Sequence, residues 1–218
     1  MTAPSPRTRA SIAPTRPAGG SQPRAERTRA LIMDEAVRCI IDEGFEAASA
    51  KHIAERAGVT WGVIQYHFGD RLGLLAAVID SGFDELRAHM ALVDVPQGPT
   101  RARVTALVER AWEAFSTPTS RASLEILVAT RGRRDEETDA HLAEMAGELT
   151  QLGRHVIDDP SPARDPHVVG ELLWATLRGL VLTQMVVTDS IDSSRPLATL
   201  VDVLVAYLEP APDRTTDA

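Results

Sequence analysis

Apolar positions recur with a helical period along most of this chain, and clusters of glycine, proline, Ser, Thr and Asp separate the stripes. Ile32, Ala36 and Ile40, flanked by Met33, Val37 and Ile41, predict a first helix from about Arg24 to Glu43, stopped by Gly44. Ile53, Ala54 and Ala57 predict a short helix, capped by the Ser49 hydroxyl and closed by Gly58, which takes left-handed backbone without strain. Thr60 is placed to cap a third helix that ends near Phe68-Gly69. Asp70 caps a long fourth helix carrying Leu72, Leu74, Leu75, Val78, Ile79, Phe83 and Leu86 and reaching about Leu92. A break at Pro96–Pro99 precedes a fifth helix, Thr100–Phe115, and a second break at Ser116–Ser120 precedes a sixth with Leu124, Leu127 and Val128. A seventh is expected from Asp135 to about Ile157, then a loop at Asp158–Pro166. The last two are expected over His167–Thr188 and Leu197–Leu208, which makes an all-α chain of about nine helices.

The stretch His167–Thr188 differs from the others because its apolar residues wrap nearly all round the helix. Such a helix needs cover on two sides. Glu171 and Arg178 interrupt it, and the uncharged run after them is about half of what a membrane span needs. Gly170, Ala175 and Gly179 let another helix come close, and Leu197–Leu208 carries a matching apolar face. One face of each can fill the chain's own core while another meets a second copy, giving a two-fold four-helix interface.

Between Ser49 and Arg71 the spacing is that of two short helices across a tight glycine turn, a helix-turn-helix whose second member can lie in a DNA major groove. Small Ala54 lets the helices approach, Gly58 makes the corner and Ile64 plugs the gap between them. An αα-hairpin without DNA function has the same outline. What separates the two is the crowding of Trp61, Val63, Gln65, Tyr66 and His67 into seven residues, too many large groups for one small core. Ile53-Ala54, Ala57-Gly58-Val59-Thr60, Gly62, Ile64, Tyr66-His67-Phe68 and Leu74-Leu75 together resemble the signature of the TetR/AcrR family of bacterial transcriptional regulators. The resemblance covers roughly Arg24 to Val78, within about the first third of the chain. It departs at Trp61, where many members carry a basic residue, and at Gln65, where many carry a phosphate-contacting tyrosine.

The resemblance implies a homodimeric, ligand-responsive repressor that binds a pseudo-palindromic operator in double-stranded DNA. Thr60 and Tyr66 are expected to grip phosphates, assisted by His67 and Arg71, and Lys51, the only lysine in the chain, to touch the backbone. Trp61, Val63 and Gln65 are the candidates for base edges, since Gln pairs bidentately with adenine and Val or Trp packs on a thymine methyl. Packing filler is an equal reading of Trp61. The family further implies a pocket in the second domain. Trp112, Phe115, Leu127, Trp174, Leu177 and Met185 are its candidate lining, and the few charges among them suggest an apolar effector. The dimer is expected through the helices at about His167–Thr188 and Leu197–Leu208.

Composition changes this picture little. The chain has 218 residues, 44% of them hydrophobic and only 4% aromatic, enough aliphatic material for one large core or two small ones. Its net charge is −8, but residues 1–75 hold ten Lys/Arg and eight Asp/Glu, while residues 76–218 hold thirteen and twenty-three. A +2 head on a −10 remainder is compatible with DNA, because phosphates respond to the local face. The expected domains are a disordered basic arm over 1–23, a DNA-binding unit over 24–75, an effector and dimerisation unit over 76–208, and a disordered tail over 209–218. No secretory signal is legible and the single Cys39 suits a reducing cytosol, so a cytoplasmic location is expected. Arg131-Gly-Arg-Arg134 reads either as an anion site or as a solvated corner neutralised by Asp135-Glu-Glu137. His141 and Glu144 form an i, i+3 pair with no second pair to complete a metal site. With no phosphate loop, nucleophile elbow or buried carboxylate pair, neither enzymatic activity nor a cofactor is expected. Two other classes remain: a constitutive DNA-binding protein, and a helical interaction module that has lost operator binding.

Overall fold

The computed structural model describes residues 22–91, 98–133, 165–187 and 192–209, with isolated positions 136, 139–140, 142–144 and 147. The described secondary structure is entirely helical: α1 (Gln22–Glu43), α2 (Ala50–Arg56), α3 (Trp61–Phe68), α4 (Arg71–Ala91), α5 (Thr100–Phe115), α6 (Pro118–Thr130), α7 (Pro166–Val186) and α8 (Ser194–Leu208). The expected arm, the tail and most of the helix at Asp135–Ile157 lie outside the described residues, although the described positions between 136 and 147 are helical.

Capping explains most of the boundaries. The Ser49 hydroxyl accepts from His52 N at 3.2 Å, and the Asp70 carboxylate accepts from Gly73 N at 2.9 Å. α6 and α8 begin about a turn earlier than apolar periodicity predicts, and α7 one residue earlier. Thr117 accepts from Ser120 N at 3.1 Å and puts Pro118 in the first turn of α6. Asp165 accepts from His167 N at 2.8 Å and does the same for Pro166 in α7. Asp192 accepts from Ser194 N at 2.9 Å at the start of α8, where Pro196 sits in the first turn. Proline is compatible with a first turn because its missing N–H has no partner to lose there.

Two apolar cores share α4. The first packs α1, α2, α3 and the front of α4 around Ile32, Ile40, Ile53, Ile64 and Leu74. It also takes in Ala122 and Ile126 of α6, so the three-helix head is completed by a helix from the far side of the expected boundary at residue 75. The second core joins Leu86 and Met90 of α4 to α5, α7 and α8 through Leu107, Leu173, Leu177 and Leu204. At the α4–α6 crossing, Gly82 meets Ser123, whose single hydroxyl hydrogen is shared between Val78 O at 3.0 Å and Thr119 O at 2.8 Å. A Cβ at position 82 would lie 2.4 Å from the Ser123 Oγ, so only glycine allows the helices this close.

Candidate nucleic-acid interface and effector cavity

The corner between α2 and α3 follows from one residue. Gly58 has φ +63, Gly58 N donates to Glu55 O at 3.2 Å, and Val59 N donates to Ala54 O at 2.9 Å. That pair of bonds is the Schellman closure, which needs a left-handed residue and satisfies two carbonyls left open by the end of α2. Val59 then packs on the first core. Ile64 is fully buried and anchors α3 from beneath. The opposite face of α3 presents Trp61, Gly62, Gln65 and Tyr66 to solvent. Trp61 is 44% exposed and Tyr66 80%.

Of the residues singled out for DNA, this face brings together Thr60, Trp61, Gln65 and Tyr66. The Thr60 hydroxyl makes no capping bond, contrary to the expectation that it would cap α3, and stays exposed at the start of the helix. Lys51 projects from α2, with Glu55 3.8 Å from its ammonium, a one-turn pair in open solvent that holds it weakly. His67 is half-buried and meets Tyr66 edge-on at 5.0 Å between ring centres. Two candidates take other roles. Val63 is half-buried against the first core and steadies α3. Arg71 is turned inward: its guanidinium donates to Ala48 O at 2.7 Å and Phe45 O at 3.0 Å and lies over the Phe45 ring at 4.7 Å. It clamps the turn before α2. The sequence placed Arg71 at a helix start, but only the fold shows that its reach ends on carbonyls 23 and 26 residues back.

Sequence reasoning missed two features of the head. Glu125, on α6, accepts from Phe45 N at 2.6 Å, so the same turn is held from a second side. Arg56 spans Glu35, Glu43 and Asp42 on α1, and His52 lies 2.9 Å from the other Glu43 oxygen. The hydrogen bond from His52, with the nearby guanidinium of Arg56, holds the Glu43 carboxyl below its ordinary range. Cys39, Glu43 and His52 offer donor atoms within 4.8 Å of one another. Burial pushes the Cys39 thiol up, and Arg56 already occupies the carboxylate, so both charge and protonation oppose a cation there. His141 of the pair weighed as a metal site lies outside the described residues.

In the second half a cavity of about 620 Å³ opens between α4, α5, α6 and α7. Phe115, Leu127 and Trp174 line it as expected, the Phe115 and Trp174 rings 5.1 Å apart. The other three candidates are not among its lining. Leu177 is fully buried in the second core, Trp112 packs on that core, and Met185 is half-buried further along α7. Leu124 and Val128 of α6 complete the apolar wall, and Arg131, Glu171 and Arg178 bring charge that the expectation of an uncharged lining did not include.

An exposed recognition-helix face on a glycine-cornered helix pair, joined to a helical bundle, defines a helix-turn-helix transcriptional regulator. The pattern of bacterial regulatory proteins, tetR family, matches residues 32–78. The HTH-type transcriptional regulator BetI of Rhizobium meliloti (strain 1021) is 27% identical over 180 residues, 83% of this chain and 89% of that protein. An uncharacterized HTH-type transcriptional regulator of Pseudomonas putida, TtgW, is 32% identical over 105 residues, 48% of this chain and 75% of that one. With several other curated relatives the match spans about half their length or less. The crystal structure of a tetR-family regulatory protein from Rhodococcus RHA1 superposes with a TM-score of 0.67 at 17% identity, covering 85% of this chain and 99% of that one, a likeness of fold. The chain belongs to the tetR family of bacterial transcriptional regulators, and its relatives are regulators, not enzymes. No described helix is long and apolar enough to cross a membrane.

Proposed function

We propose that the protein is a cytoplasmic repressor that binds a pseudo-palindromic operator as a homodimer and leaves it when a small, largely apolar molecule enters the cavity. The observation that carries this reading is the outward face of α3. Ile64 fixes the helix while Trp61, Gln65 and Tyr66 stand free of the core, as a major-groove reader requires. Gln65 and Trp61 are assigned to base edges, and Thr60, Tyr66, Lys51 and His67 to phosphates. One such helix gives little specificity, so a second copy about one helical turn of DNA or more away, roughly 34 Å or beyond, supplies the rest.

The proposed dimer uses α7 and α8. Leu172 and Val168 on α7 and Val203 and Tyr207 on α8 are exposed, Val203 at 49%, although both helices also feed the second core. The described helices thus expose a two-helix apolar face, and a second copy would cover it in a four-helix packing. The domain limits that follow are a reading head over 24–75 and an effector and dimer unit over 76–208. α6 is their mechanical link, with Leu124, Leu127 and Val128 on the cavity, Ala122 and Ile126 in the head core and Glu125 on the Phe45 amide. A ligand that shifts α6 would move the turn that orients α2, coupling the two sites by about 1–3 kcal/mol.

A gel shift against the protein's own upstream DNA at several salt concentrations tests this, alongside light scattering for mass. Gln65→Ala is expected to relax sequence preference and Tyr66→Phe to weaken all sites alike. A monomer, or a dimer that ignores all upstream fragments at low salt, would refute operator binding and favour an interaction module. A dimer that stays bound through a broad screen of apolar molecules would instead be a constitutive binder.

A further inference from the structure

The rim of the cavity narrows the chemistry of its ligand, and we propose that the effector is an amphipathic monoanion: an apolar, ring-sized body carrying one carboxylate. This rests on the effector reading above and deepens it. The wall is apolar and partly aromatic, with the Phe115 and Trp174 rings tilted against each other beside Leu124 and Leu127. Among the described residues the charged lining groups are Arg131, from the end of α6, and Arg178 and Glu171, from α7.

Each arginine spends one N–H on its own helix. Arg131 Nη1 donates to Val128 O at 3.0 Å, and Arg178 Nε donates to Trp174 O at 3.2 Å. Among the described residues neither has a carboxylate partner, and each keeps guanidinium N–H groups beyond the one bonded to its helix. Those backbone bonds tie the side chains back to the helices that wall the cavity. Glu171 and Arg178 are seven residues apart on α7, two turns, and so share one side of it without forming a one-turn pair. The three side chains sum to one excess positive charge beside an apolar wall. A carboxylate suits that sum, because the planar guanidinium fork binds it through two parallel hydrogen bonds. An apolar amine would meet two guanidiniums for one carboxylate. Of the two meanings that sequence allows for Arg131, anion site or solvated corner, its place in the cavity lining favours the first.

Titration calorimetry on the full chain tests the idea with two matched series: 4-phenylbenzoate, 4-phenylbenzamide and 4-phenylbenzylamine, and decanoate, decanamide and decylamine. The acid in at least one series is expected to bind tenfold or more tighter than its amide, about 1.4 kcal/mol, and the amine most weakly. Arg178→Gln and Arg131→Gln should each shrink the ratio of acid to amide affinity. If an amide or amine binds as tightly as its acid, or the acid preference survives both substitutions, the anion assignment is wrong while the cavity remains an effector site. If no member of either series binds, the effector reading fails and takes this proposal with it.

Discussion

Replacing Gly82 by alanine puts a methyl group where α4 and α6 cross, the point at which the cavity wall meets the head. The added Cβ would sit 2.4 Å from Ser123 Oγ and 3.1 Å from Ser123 Cβ. Carbon atoms are at ease at about 3.5–4.0 Å, so both contacts must relax. The hydroxyl can turn away, but its bond to Val78 O is then lost, at about 0.5–1.5 kcal/mol. The carbon overlap remains, and overpacking of this kind costs about 1–3 kcal/mol. Alanine returns roughly 1 kcal/mol of helix propensity. The net expectation is a loss of roughly 1–3 kcal/mol, read from urea denaturation followed by helical circular dichroism. Ser123→Gly removes both clashing atoms, so the double variant should be more stable than the sum of the singles by about 1 kcal/mol or more. If Gly82→Ala is as stable as the parent, or the two changes add to within about 0.5 kcal/mol, the close crossing does not exist.

Three further outcomes follow from the head. Glu125→Ala should cost about 1–3 kcal/mol in the same denaturation assay, because the Phe45 amide loses an ionised acceptor; Glu125→Gln, which keeps an oxygen there, should lose about half as much, and equal losses would refute the bond. Arg71→Ala should lower the melting temperature as well as DNA affinity, since the side chain holds two carbonyls of the turn before α2; a variant with unchanged melting and weakened DNA binding would restore a phosphate role. Glu43 has its carboxyl depressed by the His52 hydrogen bond and by Arg56, so its contribution is present above the ordinary glutamate value, about 4.3, and is lost as pH falls through the lower folded value. Melting temperatures measured from pH 6 downward should therefore fall less steeply below that value for Glu43→Gln, and an unchanged acid limb would show that the pair is not formed in solution.

The order and periods of the helices, the glycine corner at Gly58 and the anchoring of α3 by Ile64 were legible in sequence, because each depends on residues no more than about ten apart. Capping, also local, accounts for the earlier starts of α6, α7 and α8, which apolar periodicity alone placed one to three residues too late. Contacts between distant segments were not legible. That Arg71 ends on Phe45 and Ala48, that Glu125 reaches across to the Phe45 amide, and that Gly82 sits on Ser123 depend on which helices pack together. The cavity divides in the same way. Phe115, Leu127 and Trp174 were picked as large apolar groups and do line it, while Leu177 has the same character and is buried in the core. Hydrophobicity says that a side chain will leave water. Only the tertiary arrangement says whether it meets other side chains or an open space, and it alone put Arg131 and Arg178, from segments 47 residues apart, in the lining of one pocket.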